Sequence, residues 1–197
     1  MICLDEEYIG MDPNSIIVRG LRVCGGVFCN LSNRNLLAAH FSNTVTAEEI
    51  LVGCRYLMEH FSDGADVIEM YFIANLAQWQ SRNDKYSNTV TLVHELKLMF
   101  QYTGAVKLSD TNIIGPAIDI RFDAGEPATI SYRLTLQNEQ CVITPSNNVK
   151  YIKLQTFGGV RLKTPIITAI NVDRFHQIPF RVNGFIPIAN SMFVSVI

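Results

Sequence analysis

Cys24 stands at the mouth of a glycine-rich turn, Gly20-Leu21-Arg22-Val23-Cys24-Gly25-Gly26, and His40 lies near the end of a second apolar run, Leu36-Leu37-Ala38-Ala39-His40-Phe41. Between them the polar stretch Ser32-Asn33-Arg34-Asn35 has the composition of a reversal. A strand, a turn and a returning strand would bring a nucleophile and its base together across a hairpin. Thiol catalysis needs such a pair: free cysteine is mostly protonated at neutral pH, and an imidazole within hydrogen-bond reach lowers its pKa and carries the proton. Gly25 and Gly26 leave the sulfur uncrowded and offer two backbone N–H groups to a developing oxyanion. The competing account is plain packing, because a chain with five cysteines and four histidines holds many such pairs and cysteine is commonly a small buried hydrophobe.

The elements that must position this pair are those of one ordered domain. With 197 residues, 48% of them hydrophobic and 17% charged, the chain can bury a substantial core. A formal charge of −2 without any long Lys/Arg cluster sets nucleic acid aside. No apolar run is long enough to span a membrane, and Asp5, Glu6, Glu7 and Asp12 near the start are unlike a cleaved signal peptide. Cytoplasmic residence is expected, or export by a machine that needs no such signal. Cys3, Cys24, Cys29, Cys54 and Cys141 are odd in number and lack CxxC spacing, which argues against a disulfide framework and a structural zinc site and makes a reducing compartment the simpler assumption.

Strands are expected over 7–11 and 15–18, with Asp12-Pro13-Asn14 as the turn between them, and over 36–41. Thr46-Ala47-Glu48-Glu49 has the form of a capping box, and Ile50, Leu51, Cys54, Leu57, Met58 and Phe61 share one helical stripe that Asp63-Gly64 ends. Cys54 is core filler on that stripe, and His60 is a surface residue. A buried strand follows over 67–76, then a polar loop over 78–88 with Trp79 as a packing anchor. A second helix over 89–102 turns Leu92, Val93, Leu96, Met99 and Phe100 inward, with His94 on its flank. Strands are expected over 106–108, 117–122, 129–136, 141–144 and 149–154, with a hairpin bend at 123–126. This order fits an α+β sandwich: a largely antiparallel, mixed β-sheet core carrying two main α-helices, plus a β-rich C-terminal extension. Residues 1–136 would be the core, and 137–197 the extension packed on the same domain.

The order and the motifs together resemble the CheD family of chemoreceptor glutamine deamidases. Tyr8-Ile9-Gly10-Met11 is similar to that family's opening strand, Gly20-Leu21-Arg22-Val23-Cys24 to its nucleophile motif, and Leu37-Ala38-Ala39-His40-Phe41 to its histidine-bearing return strand. The likeness is collinear over roughly residues 7–136. It extends to deamidase toxins of the cytotoxic necrotizing factor type, which share the Cys/His core and use a main-chain carbonyl as third catalytic element.

The resemblance implies a cysteine-dependent amidohydrolase that converts glutamine to glutamate on a target protein. Cys24 would be the nucleophile and His40 the base, with the carbonyl of Val18 orienting the imidazole; Val18 stands where the CheD family has a threonine. The amides of Cys24 and Gly25 would form the oxyanion hole. No organic cofactor or metal is implied. The protein would be an effector or toxin acting on a host protein, or a chemotaxis deamidase with a CheC-type partner. Two other readings use the same residues: a non-catalytic interaction module on the same fold, and a Cys-His protease or transglutaminase-like acyl transferase.

Overall fold

The computed structural model describes residues 1–41, 47–75, 89–111, 117–136, 150–155, 166–169 and 184–197. Apolar alternation and β-branched residues produce a first run of five strands: β1 (Ile2–Leu4), β2 (Tyr8–Asp12), β3 (Ser15–Leu21), β4 (Gly25–Leu31) and β5 (Leu36–Phe41). Helix α1 (Ala47–Phe61), β6 (Val67–Ala74), α2 (Thr89–Phe100) and β7 (Val106–Asp110) follow, then β8 (Ile118–Asp123) and β9 (Thr129–Leu134). From the C-terminal region come β10 (Lys150–Gln155), β11 (Ile166–Ala169), β12 (Ile186–Pro187) and β13 (Val194–Val196). The fold is α+β, as expected.

The strands divide between two sheets. One has the order β1-β3-β8-β9-β12 and the other β11-β10-β2-β5-β4-β6-β7-β13. Pairing is antiparallel except for β1 with β3 and β6 with β7, and the latter pair is joined by the crossover that contains α2. Strands of the C-terminal extension enter both sheets: β10 pairs with β2, β13 with β7 and β12 with β9.

Because side chains alternate along a strand, the larger sheet has two cores. Val27, Cys29, Leu31, Leu37, Ala39 and Phe41 meet Leu51, Cys54, Leu57, Val93 and Leu96 of the two helices. On the opposite face Phe28, Leu36, Ala38, Tyr71 and Ile73 meet Ile16, Val18, Ile120 and Phe122 of the smaller sheet. The molecule is thus three layers, helices on sheet on sheet. Every residue of β4 and β5 is buried.

Local chemistry fixes the connections. The Asp12 carboxylate accepts hydrogen bonds from the amides of Asn14 (2.7 Å) and Ser15 (3.0 Å), which makes the expected turn. The expected reversal at 32–35 forms with Arg34 at φ 69°, and the Leu31 amide donates to the Asn35 carbonyl. At this end of the sandwich the Glu69 carboxylate gathers the Ala128 amide, Asn30, Tyr71 and Lys107 at 2.9–3.4 Å. Burial pushes its pKa up, but these four partners outweigh burial and hold it below the usual value.

Several expectations are revised. β1 is an additional strand, too short for periodicity to reveal. Cys3 on it is disulfide-bonded, whereas Cys24, Cys29 and Cys54 are free. The odd count and absent CxxC spacing were therefore poor guides, since neither excludes a single disulfide. The capping residue Thr46, the anchor Trp79, the loop over 78–88 and the strand over 141–144 lie outside the described residues.

Gly25 and Gly26 are needed for packing. A Cβ on Gly25 would overlap the Phe41 ring, and one on Gly26 would lie 2.7 Å from the Phe28 ring. Gly25→Ala is expected to cost about 1–3 kcal/mol of stability. Combining it with Phe41→Leu should cost less than the sum of the two single changes in urea denaturation. Strict additivity would mean that the ring is not what excludes the methyl group.

Candidate active site

Cys24 immediately precedes β4, on the parity of Gly26 and Phe28, so its side chain joins the core between the sheets. Across the ladder Gly26 pairs with His40, and His40 shares the parity of Leu36 and Ala38, which also face that core. The two residues singled out by sequence therefore lie on one face, offset diagonally by two positions, with a bare glycine opposite the imidazole. Both are buried, at 5% and 2% exposure.

A bulge brings Cys24 to this position. β3 registers Val18 with Ile120 but Leu21 with Ile118, so it carries one extra residue in between. The insertion re-phases the strand: Val18 and Leu21 both face the inter-sheet core despite their odd spacing. Gly20 within the bulge takes φ 73°, where a side chain would be strained. Its amide donates to Asp119 Oδ1 at 3.0 Å, and Thr135 donates to the same oxygen at 2.8 Å. Arg133 holds Oδ2 through Nε (3.3 Å) and Nη2 (3.2 Å), with its guanidinium 4.8 Å from the centre of the Phe185 ring. Asp119 is fully buried and Arg133 nearly so, so each neutralises a charge that would be costly alone.

The imidazole is oriented by main chain. His40 Nδ1 lies 3.3 Å from the Leu4 carbonyl, which can only accept; Nδ1 therefore carries the proton and Nε2 presents a lone pair. Nε2 is buried and has no hydrogen-bond partner among the described residues. Burial lowers the His40 pKa to about 4, against the opposing pull of the Leu4 and Asp5 carbonyls. Val18 was the expected source of the orienting carbonyl. Leu4, its register partner on β1, has that role instead, because β1 lies beside β3 and delivers its last carbonyl to the ring.

The thiol is equally neutral. Burial pushes Cys24 up to about 12, the Glu6 carboxylate adds to this by charge and by accepting the S–H, and the backbone at Arg22 and Val23 only partly offsets it. Glu6 belongs to the exposed β1–β2 turn, which is tied down where the Glu7 amide donates to the His40 carbonyl at 2.8 Å. In the resting protein Cys24 is thus a protonated thiol under an acidic turn, not bonded to Nε2. Gly25 is flanked on both sides, by Phe41 on β5 and Ala74 on β6. Its N–H lies in the plane of the sheet rather than facing the inter-sheet space.

Sequence reasoning missed Leu4 and Glu6. The apolar triplet Ile2-Cys3-Leu4 before the acidic run Asp5-Glu6-Glu7 was the available signal for a short strand and turn. His60 and His94 are exposed on their helices, as expected. Among the described residues no cluster of His, Cys, Asp and Glu could hold a metal ion, and no helix is long and apolar enough to cross a membrane. Comparison of the chain with family models, with curated proteins and with solved structures finds no match.

Two outcomes follow from the neutral pair. Because His40 falls from its ordinary value of 6.5 to about 4 on folding, the unfolded chain binds the extra proton between these pH values. Stability from this group is complete above about pH 6.5 and disappears as pH falls through 4, a loss of roughly 3 kcal/mol. His40→Asn should remove that part of the pH dependence in urea titrations, and an unchanged slope would contradict the burial account. Second, alkylation of Cys24 by iodoacetamide should still be climbing about tenfold per pH unit between about pH 8 and 10, where an ordinary thiol levels off. Glu6→Gln should raise the rate, whereas a plateau near neutrality would mean that the thiol is activated.

Proposed function

We propose that the chain is a thiol-dependent protein-glutamine deamidase with Cys24 as nucleophile and His40 as base. The observation that carries this reading is the shared face: Cys24 and His40 lie on the same side of β4 and β5, with Nδ1 committed to a main-chain carbonyl and Nε2 a buried acceptor without a partner among the described residues. An empty acceptor in an apolar core destabilises the fold by about 1–3 kcal/mol, a cost that a proton-accepting role would explain.

The reaction consumes one water and releases ammonia. Substrate displaces Glu6 from the thiol, the S–H proton passes to Nε2, and the sulfur attacks the carboxamide carbon of a glutamine. The Cys24 amide donates to the oxygen of the tetrahedral adduct. Collapse breaks the C–N bond as the imidazolium protonates the leaving nitrogen. Water, losing a proton to His40, then hydrolyses the thioester to glutamate and restores the thiol.

An orienting main-chain carbonyl supports the toxin-like variant of this site over one built on a threonine side chain. The disulfide at Cys3 supports passage through an oxidising compartment and hence the exported-effector setting over a chemotaxis protein with a CheC-type partner. A second reading, a non-catalytic interaction module, is favoured by the buried, protonated thiol.

Deamidation adds about one dalton to the intact mass of a protein substrate, so incubation with candidate targets followed by mass spectrometry separates the readings. The gain is expected with the wild-type chain and absent with Cys24→Ala or His40→Ala. A target bound equally by the wild type and Cys24→Ala without any gain in mass would establish the module instead.

A further inference from the structure

A cavity of about 150 Å³ opens between the two sheets beside this site. Its walls are Ile73, Ile118, Ile120, Tyr132 and Ile188, and its rim is the end of β7 at Ser109, Asp110 and Thr111. Ile73 is the register partner of Gly26, and Ile118 that of Leu21, the residue that ends the bulge before Cys24. The cavity therefore shares the end of the sandwich that holds Cys24 and His40. From Cys24 to its nearest wall is roughly 10 Å of sheet, the reach of two or three extended residues.

We propose that this cavity is a subsite for one aromatic or branched aliphatic side chain, carried two or three residues from the glutamine of a polypeptide substrate. Size selects the occupant: a space of about 150 Å³, open at its polar rim and apolar at its base, holds one benzene-sized group. Chemistry agrees below the rim, since Ile73, Ile118 and Ile120 are buried hydrocarbon, while the charged lining residue, Asp110, stands exposed at the mouth. The exposed Asp110 and Met192 mark the mouth, so the route in is from solvent, and the polar rim leaves the peptide backbone of the occupant hydrated. The identity of the neighbouring residue rests on the deamidase reading, whereas binding of the apolar group does not.

Four lining isoleucines make the test direct. In the Cys24→Ala protein carrying ¹³C-labelled isoleucine methyl groups, toluene should shift Ile73, Ile118, Ile120 and Ile188 saturably and leave Ile9, in the core beneath the helices, unmoved. An acetylated, amidated glutamine-alanine-phenylalanine peptide should do the same and bind at least about tenfold more tightly than the peptide with alanine in place of phenylalanine. Ile188→Phe, at the partly buried edge, should fill the space and abolish both effects, and Ile188→Val should keep them. Absence of saturable shifts in these four methyl groups, or equal affinity for the two peptides, would overturn the subsite. Either result is independent of the mass assay, so the pocket and the deamidase reading stand or fall separately.

Discussion

Strand β4 has no free side. It is hydrogen-bonded into the sheet by β5 on one edge and β6 on the other, and its two faces are covered by the helices and by the second sheet. Each of its positions must therefore suit a neighbour at close range. Gly25 lies against Phe41, Gly26 against Phe28, and Phe28 in turn meets Phe122 of the other sheet edge to face, with ring centres 5.7 Å apart. A one-residue slip would exchange the two faces, moving Cys24 and His40 toward the helices and setting Phe41 against the smaller sheet. The placement of the thiol and the imidazole on one face is thus a consequence of the same packing that makes the fold.

Such a strand must be entered in the right phase, and the phase is set from outside the hydrophobic core. The extra residue in β3 turns Leu21 inward, and the Gly20 amide that marks the bulge is held by Asp119. An exposed acid could do this only weakly, because water would compete for the amide. Burial strengthens the contact at the cost of desolvating a carboxylate, which the forked contact from Arg133 offsets. The charge pair lies in the smaller sheet and Cys24 beside the larger one, so the bulge couples the two sheets at the site.

The sequence made the second-order structure readable where a period was long and its partner local. The stripe from Leu51 to Phe61, the strand around Phe72 and the hairpin that carries Cys24 and His40 all formed as expected, since alternation and helical spacing report directly on a single buried face. Three features were hidden for physical reasons. β1 is three residues long and its ladder partner is parallel and more than ten residues away, so the apolar triplet before the acidic turn is its one local trace and no periodicity can show it. The bulge leaves no mark except a glycine among other glycines. The charge state of the pair was also misjudged: a Cys/His pair suggests mutual activation, but the ionisation of both groups depends on burial and on Glu6, neither of which spacing reveals.

That charge state bears on how such a site can work. In an exposed pair, thiolate and imidazolium stabilise each other and the nucleophile is ready before substrate arrives. Here burial disfavours both ions, so proton transfer from Cys24 to His40 is uphill in the resting protein. Separation of charge becomes affordable only if something replaces the lost solvation, and a carboxamide seated against the Cys24 amide with its oxygen turning anionic supplies a fixed partner for the new charge. Glu6 works in the same direction: while it accepts the S–H it holds the proton on sulfur, and removing it leaves Nε2 as the acceptor without a competitor. A thiol kept protonated by its own covering turn is protected from oxidants and stray electrophiles, whose attack requires thiolate. The burial that makes Cys24 look inert is therefore compatible with chemistry that begins only when a substrate displaces the turn.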